Sequence, residues 1–214
     1  MRLLVLGATG GTGRAVVARA LAEGWETTAF VRDPDRMEAA PGLSLVTGDA
    51  TRAEDVARAA PGHDAVVVAL GERPGAFDWL PGVGGSSGVC EAGTRHLLAA
   101  ASGGGPRRLV VVSAYGVGDT RETAPWYVRL YLRVFMGALM DDKERQEALL
   151  KASDAEFTIV QPVALTEGPE TGAWLASPEG RIRRQQVSRA DLAAFILLEL
   201  DTPRHLRATV AFSG

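Results

Sequence analysis

The chain has 214 residues, 46% of them hydrophobic and 23% charged, with a net charge of −3. That length holds one sizeable domain with a real core, and the slight acidity argues against a nucleic-acid partner. The single cysteine, Cys90, excludes an internal disulfide and a cysteine metal site.

Residues 2–6 (RLLVL) are a short apolar run, the pattern of a strand buried on both faces. Four glycines follow: Gly7, Gly10, Gly11 and Gly13. Residues 11–23 then place Val16, Val17, Ala20 and Leu21 at helical spacing, and Gly24 is a C-terminal stop. Residues 26–31 (ETTAFV) and 43–47 (LSLVT) read as the second and third strands, with a short helix over 52–60. Residues 64–70 (DAVVVAL) are a fourth strand. A loop rich in Gly and Pro, 72–88, carries Phe77 and Trp79 and reads as a lid. A helix over 89–101 leads to a fifth strand, 108–113 (RLVVVS).

A long helical region spans about 125–152, with a break expected near Gly137 or Met140. Trp126, Tyr127, Tyr131 and Phe135 recur along it and read chiefly as core packing or a dimer face, the alternative being a cover for a planar substrate whose acidic groups meet Arg129 and Arg133. Arg129 and Arg133 interrupt this most apolar region, so no stretch reaches the roughly 20 apolar residues of a membrane-spanning helix. No secretory leader is visible, and the cytoplasm is the default expectation. Residues 156–161 (EFTIVQ) are a sixth strand, residues 189–200 a final helix with Ser188 and Asp191 spaced for capping, and 208–212 a last strand.

Alternating strands and helices predict a doubly wound α/β fold, a mostly parallel sheet with helices on both faces. The expected order is 3-2-1-4-5-6. The chain reads as a single domain over 1–214, with a small substrate-side portion from about 162 to 214.

In such a fold the glycine turn lies at a helix N-terminus, whose free N–H groups attract anions. Gly7 makes the turn, Gly10 admits a pyrophosphate, Gly13 lets helix and strand approach, and Thr9 and Thr12 add hydroxyls. The spacing G-x-x-G-x-x-G differs from G-x-G-x-x-G, but its position between strand and helix is the context a dinucleotide turn requires. The second strand ends FVRDPDRM, where Arg32 and Arg36 suit a 2′-phosphate and Asp33 suits a 2′-hydroxyl instead. The arginines favour NADPH over NADH.

The stretch GATGGTGRAVVARALAEGWETTAFVRDPDRM resembles the start of the atypical short-chain dehydrogenase/reductases, the NAD(P)H-binding group. The resemblance continues in VTGDATRAEDV, DAVVVALG, LVVVSAYG, DDKERQEALLKASDAEFTIVQP and VSRADLAAFILLEL, and so covers nearly the whole chain. The biliverdin-IXβ/flavin reductase branch is nearest in length and motif order. The resemblance implies that Arg32 and Arg36 hold the 2′-phosphate and that Asp49 and Ala50 lie beside the adenine. It places Leu70 and Gly71 at the nicotinamide-side ribose. It implies that the backbone of Gln161-Pro162-Val163 meets the nicotinamide carboxamide.

Many short-chain reductases pair Tyr-x-x-x-Lys with a serine after the fifth strand. Ser113 stands at that strand end and Lys143 resembles the motif lysine, but the residue four before it is Leu139. Tyr115 and Tyr127 are candidate replacement donors. Without the usual acid, a planar acceptor that needs little help with its proton is favoured: a flavin, a quinone or a related conjugated compound. The alternatives are a biosynthetic ketoreductase or epimerase, and a non-catalytic NADP sensor of the NmrA-like kind. His63, His96 and His205 lack metal-ligand spacing, so no metal is expected. A monomer or homodimer is expected.

Overall fold

The computed structural model describes residues 1–72 and 86–214. Most of the loop expected to act as a lid, with Phe77 and Trp79, therefore lies outside the described residues. An eight-stranded sheet forms the centre, ordered β3-β2-β1-β4-β5-β6-β10-β8. Its strands are β1 Arg2–Leu6, β2 Glu26–Val31, β3 Leu43–Thr47, β4 Ala65–Val68, β5 Arg108–Val112, β6 Glu156–Pro162, β8 Leu175–Ser177 and β10 Ala208–Ser213. All neighbours are parallel except β10 and β8. Strands β7 (Ala164–Thr166) and β9 (Gln186–Ser188) pair separately.

Six helices flank the sheet: α1 Gly11–Ala22, α2 Ala53–Ala59, α3 Val89–Ser102, α4 Trp126–Phe135, α5 Gly137–Lys151 and α6 Arg189–Asp201, among the described residues. The strands alternate between two cores because successive side chains leave opposite faces. On one face Leu3, Val5, Val67 and Val110 pack with Val16 of α1 and Ile196 of α6. On the other, Leu4, Leu6, Val68 and Val111 pack with Leu97 of α3 and Leu150 of α5. Both faces are covered, which is why the central strands read as continuous apolar runs.

Two features depart from the sequence reading. The three-residue strands β7 and β8 were not expected, being too short to show a period. Trp126, Tyr127 and Phe135 of α4 are not core packing. Trp126 is 74% exposed and Leu130 55%, because only the Val128 and Leu132 side of the helix turns inward to line a cavity. The helical break falls at Met136, beside the expected Gly137.

Candidate functional site

The glycine loop joins β1 to α1 at the carboxyl edge of the sheet. Gly7 has φ +81°, in the left-handed region that favours glycine, and its carbonyl accepts the Gly10 N–H at 3.0 Å. A Cβ on Gly7 would stand 2.3 Å from the Ala69 carbonyl oxygen, and one on Gly13 only 2.1 Å from that of Gly7. These two glycines are therefore required by the protein's own packing. Gly10 is different: a Cβ there would meet only the Gly7 oxygen, at 3.3 Å. No side chain caps α1 and its first turn carries no acidic residue, so its positive end is left for something outside the helix.

A cleft of about 420 Å³ opens beside this loop. Gly7, Thr9 and Gly10 face it from the loop, and Arg32 and Arg36 from the segment after β2. Asp49 and Ala50 after β3, with Leu70 and Gly71 after β4, complete the set of expected residues on its wall. Gly11, Thr12 and Gly13 stand behind it in the first turn of α1. Gly11 packs under Arg189, whose Nε would be 2.6 Å from a Cβ there.

Asp33, the competing 2′-hydroxyl ligand, is used locally. Its Oδ1 accepts the Asp35 N–H at 3.1 Å and caps the short turn Pro34–Arg36, leaving Arg32 and Arg36 on the cleft. Arg14 was not singled out in the sequence. Its Nε donates to the Thr9 carbonyl at 3.1 Å and its Nη2 to the Arg36 carbonyl at 2.6 Å, clamping the glycine loop to this turn. The only sequence signal was an arginine directly after the last glycine. The Thr51 N–H and hydroxyl both donate to Asp49 and hold its carboxyl below the usual range, with Arg32 adding in the same direction. His96 is hydrogen-bonded to the Ala50 carbonyl and so supports the cleft wall.

Further along the same edge, a second cavity of about 340 Å³ is lined mainly by apolar groups, among them Tyr115, Val128, Leu132, Pro162 and Val163. Tyr115 is 9% exposed. Tyr127 lies on the surface, and its hydroxyl accepts from Nε2 of Gln185, a residue of the cavity wall, at 2.7 Å. Lys143 reaches back from α5 and donates to the Val112 carbonyl at 3.1 Å, at the end of β5. Leu139, at the position of the missing tyrosine, is partly buried.

Ser113 follows β5 and Gln161 lies near the end of β6. Both turn into a buried polar cluster around Glu147. Ser113 Oγ donates to Glu147 Oε1 at 2.5 Å, and Gln161 Nε2 donates to the same oxygen at 2.7 Å and to the Val117 carbonyl at 2.9 Å. Burial pushes the Glu147 carboxyl up, against the opposing pull of the Ser113 and Gln161 bonds. Glu147 Oε2 has no hydrogen-bond partner; Lys151 Nζ stands 3.6 Å away. The Val163 N–H and the Pro162 carbonyl are also occupied, by the Phe212 carbonyl at 3.0 Å and the Tyr115 N–H at 2.9 Å. These two groups of the segment expected to meet a carboxamide are thus paired within the sheet edge.

Cys90, at the start of α3, donates to the Leu70 carbonyl at 3.4 Å, and burial pushes its thiol up to about 11. It is a small, buried core residue whose environment disfavours the thiolate. Among the described residues no cluster of His, Cys, Asp and Glu could hold a metal ion. No described helix is long and apolar enough to cross a membrane.

Residues 7–203 match the NAD(P)H-binding family. The chain belongs to that family. As a family member it is 32% identical over 207 residues to an uncharacterized chloroplastic protein of Arabidopsis thaliana, covering 92% of this chain and 71% of that one. Among solved structures, the anaerobilin reductase ChuY of Escherichia coli O157:H7 superposes with a TM-score of 0.77 at 25% identity, over 100% of this chain and 97% of the other. A short-chain dehydrogenase/reductase from Veillonella parvula, solved in complex with NADP, shares the fold with a TM-score of 0.81 at 17% identity, over 100% and 94% of the two chains. This NAD(P)H-binding protein thus shares its fold with both solved proteins.

Proposed function

We propose that the protein is an NADPH-dependent reductase that delivers hydride to a planar, easily reduced acceptor: a flavin, a quinone or a related conjugated compound. The observation that carries this reading is an arginine-edged cleft and, along the same sheet edge, an apolar cavity that among the described residues lacks the Tyr-x-x-x-Lys acid. Leu139 fills the tyrosine position, and the Ser113 hydroxyl is already bonded to Glu147. The anaerobilin reductase and the NADP-bound relative support the same chemistry for this fold.

The cleft fits the dinucleotide. A Cβ on Gly10 would press only on the Gly7 carbonyl oxygen, far less severely than one on Gly7 or Gly13, and the uncapped end of α1 favours a pyrophosphate. Arg32 and Arg36 would hold the 2′-phosphate, Asp49 and Ala50 the adenine, and Leu70 and Gly71 the second ribose. Bound NADPH would supply the hydride. Tyr115, Pro162 and Val163 would present the acceptor's ring and exclude water, and Lys143 would hold the end of β5 in place. Residues 162–214 would then form the acceptor side of a single NAD(P)-binding domain.

The test is NADPH oxidation with FMN, a naphthoquinone, biliverdin and a simple ketone, run beside NADH. NADPH should bind more tightly than NADH. Arg32→Glu should remove most of that preference, about 2 kcal/mol for a charge-assisted contact. Equal affinities of the unaltered protein for the two cofactors, measured by titration, would overturn the assignment.

A further inference from the structure

We propose that the acceptor carries an anionic substituent, a phosphate, sulfonate or carboxylate, and that Arg129 and Arg133 of α4 receive it. The proposal rests on the reductase reading and narrows its substrate class. Beside the apolar cavity lies another of about 380 Å³, and the two share Leu132 and Met140 as a common wall. The new cavity is lined by Arg121, Arg129 and Arg133, with Asp141 as its acidic member.

The helical period builds this pairing. Val128 and Leu132, four residues apart, line the apolar cavity. Arg129 and Arg133 each follow by one residue and so stand about 100° further round the helix. They line the neighbouring space. One helix therefore presents an apolar face to a ring system and a guanidinium pair to whatever extends from it.

The two arginines lack the compensation found elsewhere in this chain. Arg121 pairs with Glu144 at 2.5 Å, Arg145 with Glu91 at 2.6 Å and Arg189 with Glu167 at 2.5 Å. Among the described residues the side chains of Arg129 and Arg133 form no ion pair, and Asp141 pairs with neither. Like charges at positions i and i+4 of a helix repel each other. An anion bridging the pair would relieve that repulsion, and guanidinium groups suit phosphate and carboxylate through paired N–H donors. The positive excess at this cavity stands against a net charge of −3 for the whole chain.

The experiment uses acceptor pairs that share a ring and differ in charge: FMN against riboflavin, and 1,4-naphthoquinone-2-sulfonate against menadione. KM is measured with saturating NADPH, and flavin affinity separately by fluorescence quenching. The anionic member should be favoured by roughly tenfold or more, the scale of one charge-assisted contact. In the Arg129→Gln/Arg133→Gln double variant the ratio of the two KM values should collapse toward one. The preference should also shrink as salt rises. Turnover of both pairs without an anion preference, or a preference that survives in the double variant, would sink the anion site and leave the reductase reading standing. If the unaltered protein neither binds nor reduces any of the four, both fall together.

Discussion

The glycine loop separates two kinds of glycine that look alike in the sequence. Gly13 is required by the fold, since a Cβ would sit 2.1 Å from the backbone oxygen of Gly7. Gly10 meets little that belongs to the protein. Gly10→Val should therefore fold and lose dinucleotide affinity, whereas Gly13→Val should lose the native state. Circular dichroism with calorimetric binding distinguishes them; a folded Gly10→Val protein with normal affinity would show that the loop does not hold the phosphate. Glu147 gives a second residue-scale prediction. Burial raises its carboxyl above the unfolded value, so the folded state keeps a proton over a range where the unfolded chain has released it. Stability linked to this group is greatest at low pH and falls as pH rises through the folded value. Glutamine carries no such charge. The stability of Glu147→Gln relative to the parent should therefore rise from about pH 4 to about pH 7 in urea titrations. A difference that is flat or falls with pH would contradict the buried, proton-holding carboxyl. No sequence pattern marks Glu147, because its partners Ser113 and Gln161 stand 34 and 14 residues away in the chain.

Elements with a strong period were legible, and those held by distant partners were not. Strand β1 could be read because RLLVL has apolar side chains on both faces, and α1 because Val16, Val17 and Ala20 fall on one side. Arg32 and Arg36 were legible as cleft residues because the topology fixes what the end of β2 faces. The capping of α3 was not. Gly88 precedes it without a side chain to bond, and the cap comes instead from Asp142 of α5. Asp142 Oδ2 accepts the Cys90 N–H at 3.1 Å and its Oδ1 the Glu91 N–H at 3.0 Å. This satisfies donors that the helix cannot pair internally and sets a negative charge at its positive end. Asp142→Ala should cost about 1–3 kcal/mol, the range of a cap bond to a charged acceptor. Asp142→Asn should recover part of it by keeping an oxygen in place. An alanine variant as stable as the parent in urea unfolding would mean that packing, not the cap, holds α3. Core packing of the α4 stripe is overturned for a related reason: periodicity identifies an apolar face but not whether another element of the chain comes to cover it.

For the whole molecule, the sheet order sets where chemistry can happen. The chain builds β1, β2 and β3 outward, then returns to place β4 on the other side of β1. Loops leave in opposite directions at that reversal, and a crevice opens at the carboxyl ends of the strands. The arginine-edged cleft lies there, and the apolar cavity follows along the same edge at the ends of β5 and β6. A hydride donor and a flat acceptor placed side by side at this edge need orientation above all. A general acid typically contributes about 10²–10⁴-fold in rate. A reaction that depends on one should therefore be slow in a protein with Leu139 at the acid's position. Acceptors that spread the incoming charge over a ring lose less. Turnover of NADPH with a flavin or quinone is expected, with little or none for an unactivated ketone. Tyr115→Phe and Tyr127→Phe should each change flavin or quinone turnover by less than about tenfold, below the contribution of a true general acid. Efficient reduction of a simple ketone, abolished in Tyr115→Phe, would falsify this reading and make Tyr115 the proton donor of a ketoreductase. Tight NADPH binding with no turnover of any acceptor would make the protein a sensor of the cofactor instead.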